Sequence, residues 1–345
     1  MDRDIFKMKK ILIFKNDRVG DLFHSLKGIN QILNEHLDYQ INIYLSDYSK
    51  GFSFLFDRKN IKIKILDYRI SFLDKISLLF TIFNPSIEKI YILSPKNFLF
   101  FLPFVQRRIK FYGICVNEGN KFRPNKYLRS FLFRKEINNR NYKKKGDTIS
   151  NLIYKLCKSK KEYKNQLVNI NPDYNRELLA LNEHRYCHFH FKRSIYVKNK
   201  WNLEHLKELF KILNESKYKI LLTSDIEKSE FNNYFKKIYT TFNFENLINK
   251  KYPLIFNNEV NYLENIKSID LFHVIKQSSL VITPHGTMSV AASYLNIPVI
   301  DIFDDTINKI AFREYKPDNI KYNFLILKPF TSKILIKFKR ILLNV

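Results

Sequence analysis

Short apolar runs alternate along this chain with segments whose hydrophobic residues recur at helical spacing. Ile11 to Phe14, Ile41 to Leu45, Ile61 to Leu66, Ile87 to Leu93 and Ile109 to Ile114 read as strands, with helical or loop sequence between them. The rhythm restarts after about residue 180. Cys187 to Phe191, Tyr218 to Thr223, Pro253 to Asn257, Leu280 to Thr283 and Pro298 to Phe303 read as strands, with helices such as Leu203 to Leu213 and Ile269 to Lys276 between them. Strands alternating with helices predict parallel sheets covered on their faces. A helix over 147–156 runs into a charged, aperiodic stretch from Lys158 to Asn165 that reads as a linker. The predicted organisation is therefore a domain over 1–165, a second over 166–331, and a basic amphipathic helix over 332–345 that crosses back to the first. A chain of 345 residues exceeds what one core normally supports, which agrees with two domains.

Two strand-to-helix turns carry the chemistry. In the first, the run Ile11 to Phe14, continuous as in a strand buried on both faces, leads through Lys15-Asn16-Asp17-Arg18-Val19-Gly20-Asp21 into a helix marked by Leu22, Phe23, Leu26, Ile29, Ile32 and Leu33. Gly20 is expected to turn the backbone tightly. Ligands of open parallel sheets bind at the carboxyl ends of strands, so Asp21 is expected to face substrate. A helix cap is the other reading of Asp21, because negative charge is favoured at a helix start. In the second turn, Leu280 to Thr283 leads through Pro284-His285-Gly286-Thr287 into a helix kept thin by Ala291, Ala292 and Ser293. Thr283, His285, Thr287 and Ser289, with the free amides at Gly286, Thr287 and Met288, make an expected anion site suited to phosphate.

Together these segments resemble glycosyltransferase family 9, the heptosyltransferase-like enzymes. The resemblance rests on Val19-Gly20-Asp21-Leu22 and on the polar turn, Ala-rich helix and Ile297-Pro298. It extends to the strand His188-Phe189-His190-Phe191 with the basic Lys198-Asn199-Lys200-Trp201 after it, and to the strand and turn Lys219 to Ser224. It implies the GT-B fold, two Rossmann-like doubly wound parallel-sheet domains facing a central cleft. It also implies an inverting, metal-independent transfer of a sugar from a nucleotide-diphosphate donor to a lipopolysaccharide or other surface-glycan acceptor. No cofactor is expected beyond the nucleotide sugar as co-substrate. The expected catalytic base is Asp21. Expected donor contacts are Lys198 or Lys200, Thr223, Ser224, Glu227, Thr283, His285, Gly286, Thr287, Met288 and Ser289. Expected acceptor contacts are Arg18, Gly20, His24, Arg107 and Arg108. The family usually has an Asp-Thr-Gly turn before the Ala-rich helix, and the acid there is implied to touch the donor sugar. With His285 near that position, the donor need not be a heptose.

Composition modifies this picture in a few places. The net charge is +27 at pH 7, but Lys, Asn, Ile, Phe and Tyr abound while Gly is scarce, a bias that raises lysine everywhere. What remains is an attraction to polyanions: an anionic glycolipid or oligosaccharide acceptor, an anionic membrane surface, or nucleic acid. Gln106 to Lys110 and Arg140 to Lys145 are candidate faces for such contacts, although a solvated surface is the ordinary role of a charge run. The run Asn97 to Val105 is far short of the ~20 residues that span a bilayer, so a buried helix or a surface-dipping segment is expected. Cys115, Cys157 and Cys187 lack metal spacing and cannot all pair, which suits reduced thiols in the cytoplasm, with peripheral membrane attachment as a variant. His188 and His190 could ligate zinc only with a third ligand that the sequence does not offer. Asp301, Asp304 and Asp305 are expected as exposed loop acids after the last strand. The alternative functions are a nucleic-acid or polyanion-binding protein, which explains the charge but not the two turns, and a catalytically silent GT-B binding module.

Overall fold

The computed structural model describes residues 8–94, 96–115, 133–138, 147–158, 185–225, 230–247, 256, 258–304, 306, 312, 315–317 and 321–344. The chain forms two compact units, Met1–Pro172 with Arg313–Lys316, and Asp173–Phe312 with Pro317–Val345. The first holds strands β1 (Lys10–Lys15), β2 (Gln40–Ser46), β3 (Ile61–Leu66), β4 (Ile87–Ile92), β5 (Lys110–Cys115) and β6 (Phe133–Asn138), all parallel, in the order β3-β2-β1-β4-β5-β6. Its described α-helices are α1 (Val19–Glu35), α2 (Phe72–Ile82), α3 (Leu102–Val105) and α4 (Ile149–Cys157).

Ile11 to Phe14 are fully buried because both faces of β1 are covered. Leu12 and Phe14 join Ile90, Ile92 and the α2 residues Leu78 and Ile82 in one core, while Ile11 and Ile13 alternate to the other face. Helices α1 and α4 approach closely at Gly28, where a Cβ would lie 2.9 Å from Ile153 Cγ2 and 3.1 Å from Cys157 Sγ.

The second unit holds β7 (Arg185–Phe191), β8 (Tyr218–Ser224), β9 (Thr240–Asn243), β10 (Val260–Glu264), β11 (Leu280–Pro284), β12 (Val299–Asp304) and β13 (Tyr322–Leu327). All are parallel, in the order β13-β12-β11-β7-β8-β10-β9. Its described α-helices are α5 (Arg193–Lys198), α6 (Leu203–Glu215), α7 (Glu230–Ile238), α8 (Ser268–Gln277), α9 (Thr287–Tyr294) and α10 (Ser332–Leu343). Phe189, Phe191, Leu209, Phe210 and Phe235 form the larger core on one face, and Tyr186, Leu221 and Val274 a smaller one on the other.

Three expectations of the sequence reading meet the structure here. The terminal helix α10 sends Ile334, Phe338 and Leu342 into the core of the second unit. Gly20 makes no turn. It lies inside α1 without a positive φ, and the chain reverses over Asn16 to Arg18. The strand expected over 253–257 falls mostly outside the described residues, and β10 begins only at Val260. The proposed linker beyond Lys158 and the basic run Arg140 to Lys145 also lie outside the described residues.

Candidate active site

Each sheet has a point where its strand order reverses, and there the loops at the carboxyl ends part to leave a crevice. In the first unit this lies between β1 and β4. Lys15, at the end of β1, donates to Asp17 Oδ2 at 2.7 Å and to the Leu93 carbonyl at 3.3 Å, tying the turn to the end of β4. The hydroxyls of Ser46 and Ser49 both donate to the Asp17 carbonyl, fixing the turn from the β2 side. Asp17 is buried, and burial pushes its carboxyl up; the Lys15 ammonium opposes that shift and the nearby Asp21 charge adds to it. Asp21 itself stands in the first turn of α1, half-buried and without an ion-pair partner among the described residues. Its carbonyl accepts from Ser25 Oγ. No side chain caps α1, so Asp21 adds its charge to a helix start whose amides are otherwise unsatisfied. Arg18, the N-cap residue, is exposed beside it.

In the second unit the order reverses between β7 and β11. The end of β11 presents His285, whose Nδ1 lies 2.7 Å from Asp301 Oδ2, and Tyr322 donates to the same oxygen at 2.9 Å. Asp301 is fully buried within β12, and burial pushes its carboxyl up against the hydrogen bonds from His285, Tyr322 and Ser289. With Nδ1 turned to the carboxylate, the ring is held in one orientation and stacks on Phe303 at 4.6 Å. Gly286 follows with φ 158° and ψ −150°, a backbone conformation essentially restricted to glycine, and α9 starts at once. Ser289 Oγ reaches back to donate to the Gly286 carbonyl at 2.9 Å and accepts from its amide at 3.2 Å. Thr287 and Met288 are partly exposed in the first turn, where backbone amides have no intrahelical carbonyl.

The two candidate lysines differ. Lys198 donates to Asp304 Oδ2 at 3.0 Å and Thr306 Oγ1 at 2.8 Å. The Thr306 hydroxyl and Lys198 together hold the Asp304 carboxyl below its usual range. Lys200 is exposed, with φ 60°, at the end of α5, where its amide bonds the Val197 carbonyl and that of Trp201 bonds Tyr196. This is a Schellman end with lysine in the place glycine favours. The strain alone is not a functional sign, because Lys217 adopts φ 63° after α6.

The structure separates the remaining candidates. Thr223 is buried between His188 Nε2 at 2.8 Å and His190 Nδ1 at 3.0 Å, so its hydroxyl serves the sheet. Ser224 shares a network with Tyr262 at 2.8 Å and Asn232 at 2.7 Å. Thr283 is fully buried and donates to the Pro284 carbonyl, and Ser289 is equally buried, so neither hydroxyl is open to a ligand. His24 is buried against Ser150 of α4 at 2.7 Å instead of lining the start of α1. Arg107 and Arg108 precede β5, at the amino ends of the parallel strands and thus on the edge opposite Asp21. Arg108 there braces the carbonyls of Asn84 and Pro85 at 3.0 and 2.6 Å. Glu227 and Asp305 lie outside the described residues. Sequence reasoning overlooked Lys15, Asp17 and Tyr322 and took Asp301 for a loop acid. An acid inside the apolar run Val299 to Phe303 was the available signal. Among the described residues no three His, Cys, Asp or Glu side chains gather as a metal group.

Solved structures share this two-domain arrangement of parallel sheets. The E. coli heptosyltransferase WaaC with ADP-2-deoxy-2-fluoro heptose superposes with TM-score 0.63 at 13% identity, over 97% of this chain and 100% of that one. The fold is GT-B. A glycosyl transferase family 9 protein from Veillonella parvula gives TM-score 0.62 at 10% identity, over 98% of each chain. A UDP-GlcNAc 2-epimerase from Methanocaldococcus jannaschii gives 0.55 at 13% identity, over 98% of this GT-B chain and 93% of its own. No protein-family profile matches the sequence, and no curated protein does either.

Proposed function

We propose that this GT-B protein is an inverting glycosyltransferase that needs no metal and moves a sugar from a nucleoside diphosphate to a hydroxyl of a surface glycan. The observation that carries the reading is His285, clamped by a buried carboxylate beside the open amides of α9. Sugar transfer releases a pyrophosphate group whose charge grows in the transition state, and fixed donors aimed at it lower the barrier. The Thr287 hydroxyl, the Thr287 and Met288 amides and the Lys200 ammonium are such donors, and His285 Nε2 joins them when the ring carries both protons. Lys200 is preferred over Lys198 because Asp304 already neutralises the latter. The acceptor oxygen loses its proton to Asp21 as it attacks the anomeric carbon, and the C–O bond to phosphate breaks with its electron pair leaving on the nucleotide. One displacement inverts the anomeric centre. Arg18, exposed beside Asp21, suits an acidic acceptor such as a phosphorylated lipopolysaccharide core.

The structural relatives include heptosyltransferases solved with ADP or an ADP-heptose analogue, which favours a nucleotide-sugar ligand. They also include a UDP-GlcNAc 2-epimerase. The deciding experiment is incubation with ADP-, UDP- and GDP-sugars in EDTA, with and without glycan acceptors, following free nucleoside diphosphate and the fate of the sugar. Acceptor-dependent release that Asp21→Asn abolishes supports transfer. Conversion of the sugar without acceptor would replace this reading with epimerisation, and selective binding without turnover would make the chain a silent module.

A further inference from the structure

Helix α2 is built inside out. Leu78 and Ile82 face the core, yet Phe72, Leu73 and Phe80 are 74%, 76% and 75% exposed, with Phe83 at 56% and Ile76 at 36%. At ~100° per residue these five fall within an arc of about 100°, a continuous apolar stripe along one side. Soluble monomers seldom expose such a contiguous patch without a partner. Beside the stripe runs a groove of about 660 Å³ lined by Leu73, Ile76, Phe80, Lys10, Lys64 and Asn42. Asn42 is nine-tenths buried there, with Oδ1 unpartnered, so the groove offers a polar amide and two ammonium groups above an apolar wall. At the C-terminal end of α2, Arg108 binds the Asn84 and Pro85 carbonyls, with exposed Arg107 next to it and the partly exposed Phe104 and Val105 just before. Lys10, Asn84 and Arg107 belong to the amino edge of the first sheet, opposite the Asp21 edge.

We propose that the α2 stripe is a docking surface for an anionic phospholipid bilayer, with the phenylalanines entering the headgroup boundary and the lysine-lined groove taking a lipid phosphate. An apolar stripe with cations at its margin is the arrangement of an interfacial helix, in which burial of rings and attraction to anionic lipid act together. The chain's charge of +27 matches an anionic surface, and no described helix is long and apolar enough to cross a membrane. A second copy of the chain fits less well, because like-charged rims would then meet. The inference rests on α2 and stands apart from the glycosyltransferase reading.

The test uses the full chain with sedimented vesicles of phosphatidylcholine alone or with phosphatidylglycerol. The expected result is binding to the phosphatidylglycerol vesicles only, about tenfold weaker in Phe72→Ser/Phe80→Ser and several-fold weaker in Lys10→Ser/Lys64→Ser, with melting temperatures unchanged. Absence of binding by the parent chain would overturn the proposal. So would a Phe72→Ser/Phe80→Ser chain that binds like the parent, since general basic charge would then suffice. A concentration-dependent dimer that the same double substitution dissolves would assign the stripe to a second copy instead.

Discussion

His188 shows how one residue reports on the fold that holds it. Full burial, with His190 nearby, lowers its pKa from 6.5 to about 3, so the ring is neutral in the native state. The unfolded chain takes up this proton as pH falls through 6.5, while the native ring refuses it until about 3. Between those values the unfolded state binds the extra proton, so stability is full above the window and falls on acidification within it. The loss attributable to this group is on the order of 5 kcal/mol across the whole window. Denaturant unfolding at a series of pH values is expected to show it. His188→Gln, whose amide can still reach Thr223, should flatten the profile, and an equally steep profile in that variant would assign the loss elsewhere. Lys200 gives a complementary prediction. Glycine at its left-handed position relieves about 1 kcal/mol of strain against a comparable entropy cost, so Lys200→Gly should melt close to the parent. Nucleoside diphosphate affinity, read by calorimetry, should nonetheless fall about tenfold, the worth of one charge-assisted contact. Unchanged affinity would remove Lys200 from the proposed cradle.

At the level of elements, α1 and α4 meet so closely at Gly28 that a side chain there has little room. A methyl at Gly28 would meet not only the movable Cys157 sulfur but also the Ile153 backbone carbonyl at 3.1 Å. Gly28→Ala gains up to ~1 kcal/mol of helix propensity and is expected to lose more through overpacking, a net destabilisation of about 1–2 kcal/mol by urea unfolding. Cys157→Ala in the same chain should recover only part, because the carbonyl remains. Strands buried on both faces were legible in the sequence: the predicted span of β1 lies within the observed one. Of the edge strands only β3, with isoleucine at alternate positions, was read. Phe133–Asn138, Thr240–Asn243 and Tyr322–Leu327 mix polar and apolar residues because an edge is half solvated, and such a pattern does not stand out from loop sequence. The candidate site was legible where a turn follows an apolar run, at Asp21 and His285, the residues whose roles are proposed above. It was illegible where the decisive partner comes from a neighbouring strand. Register sets Thr283 beside Asp301 and Asp301 beside Phe324, and only that pairing brings the carboxylate to His285 and Tyr322.

For the whole molecule, the question is whether a charge of +27 is itself the function. Its lysines are distributed over both units, and lysine even occupies left-handed helix ends at 200 and 217. That is the mark of a compositional bias more than of a built nucleic-acid groove. The two readings separate by salt. A protein held to nucleic acid by six to ten phosphate contacts loses roughly 10³–10⁵ in affinity between 50 and 200 mM salt, because each contact releases condensed counterions. A nucleoside diphosphate gripped by His285 and the α9 amides meets directed hydrogen bonds and few free charges, so screening over the same range should cost no more than about fivefold. Titrating the full chain with the nucleoside diphosphate it prefers and with a mixed-sequence single strand, at both salt concentrations, compares the two directly. The strand is expected to be released as the salt rises, with heparin displacing it at equal charge, while the nucleotide stays bound. A strand that persists at the higher salt with a preference for sequence, together with a nucleotide that washes away, would move the function from the two carboxyl edges to the basic surface.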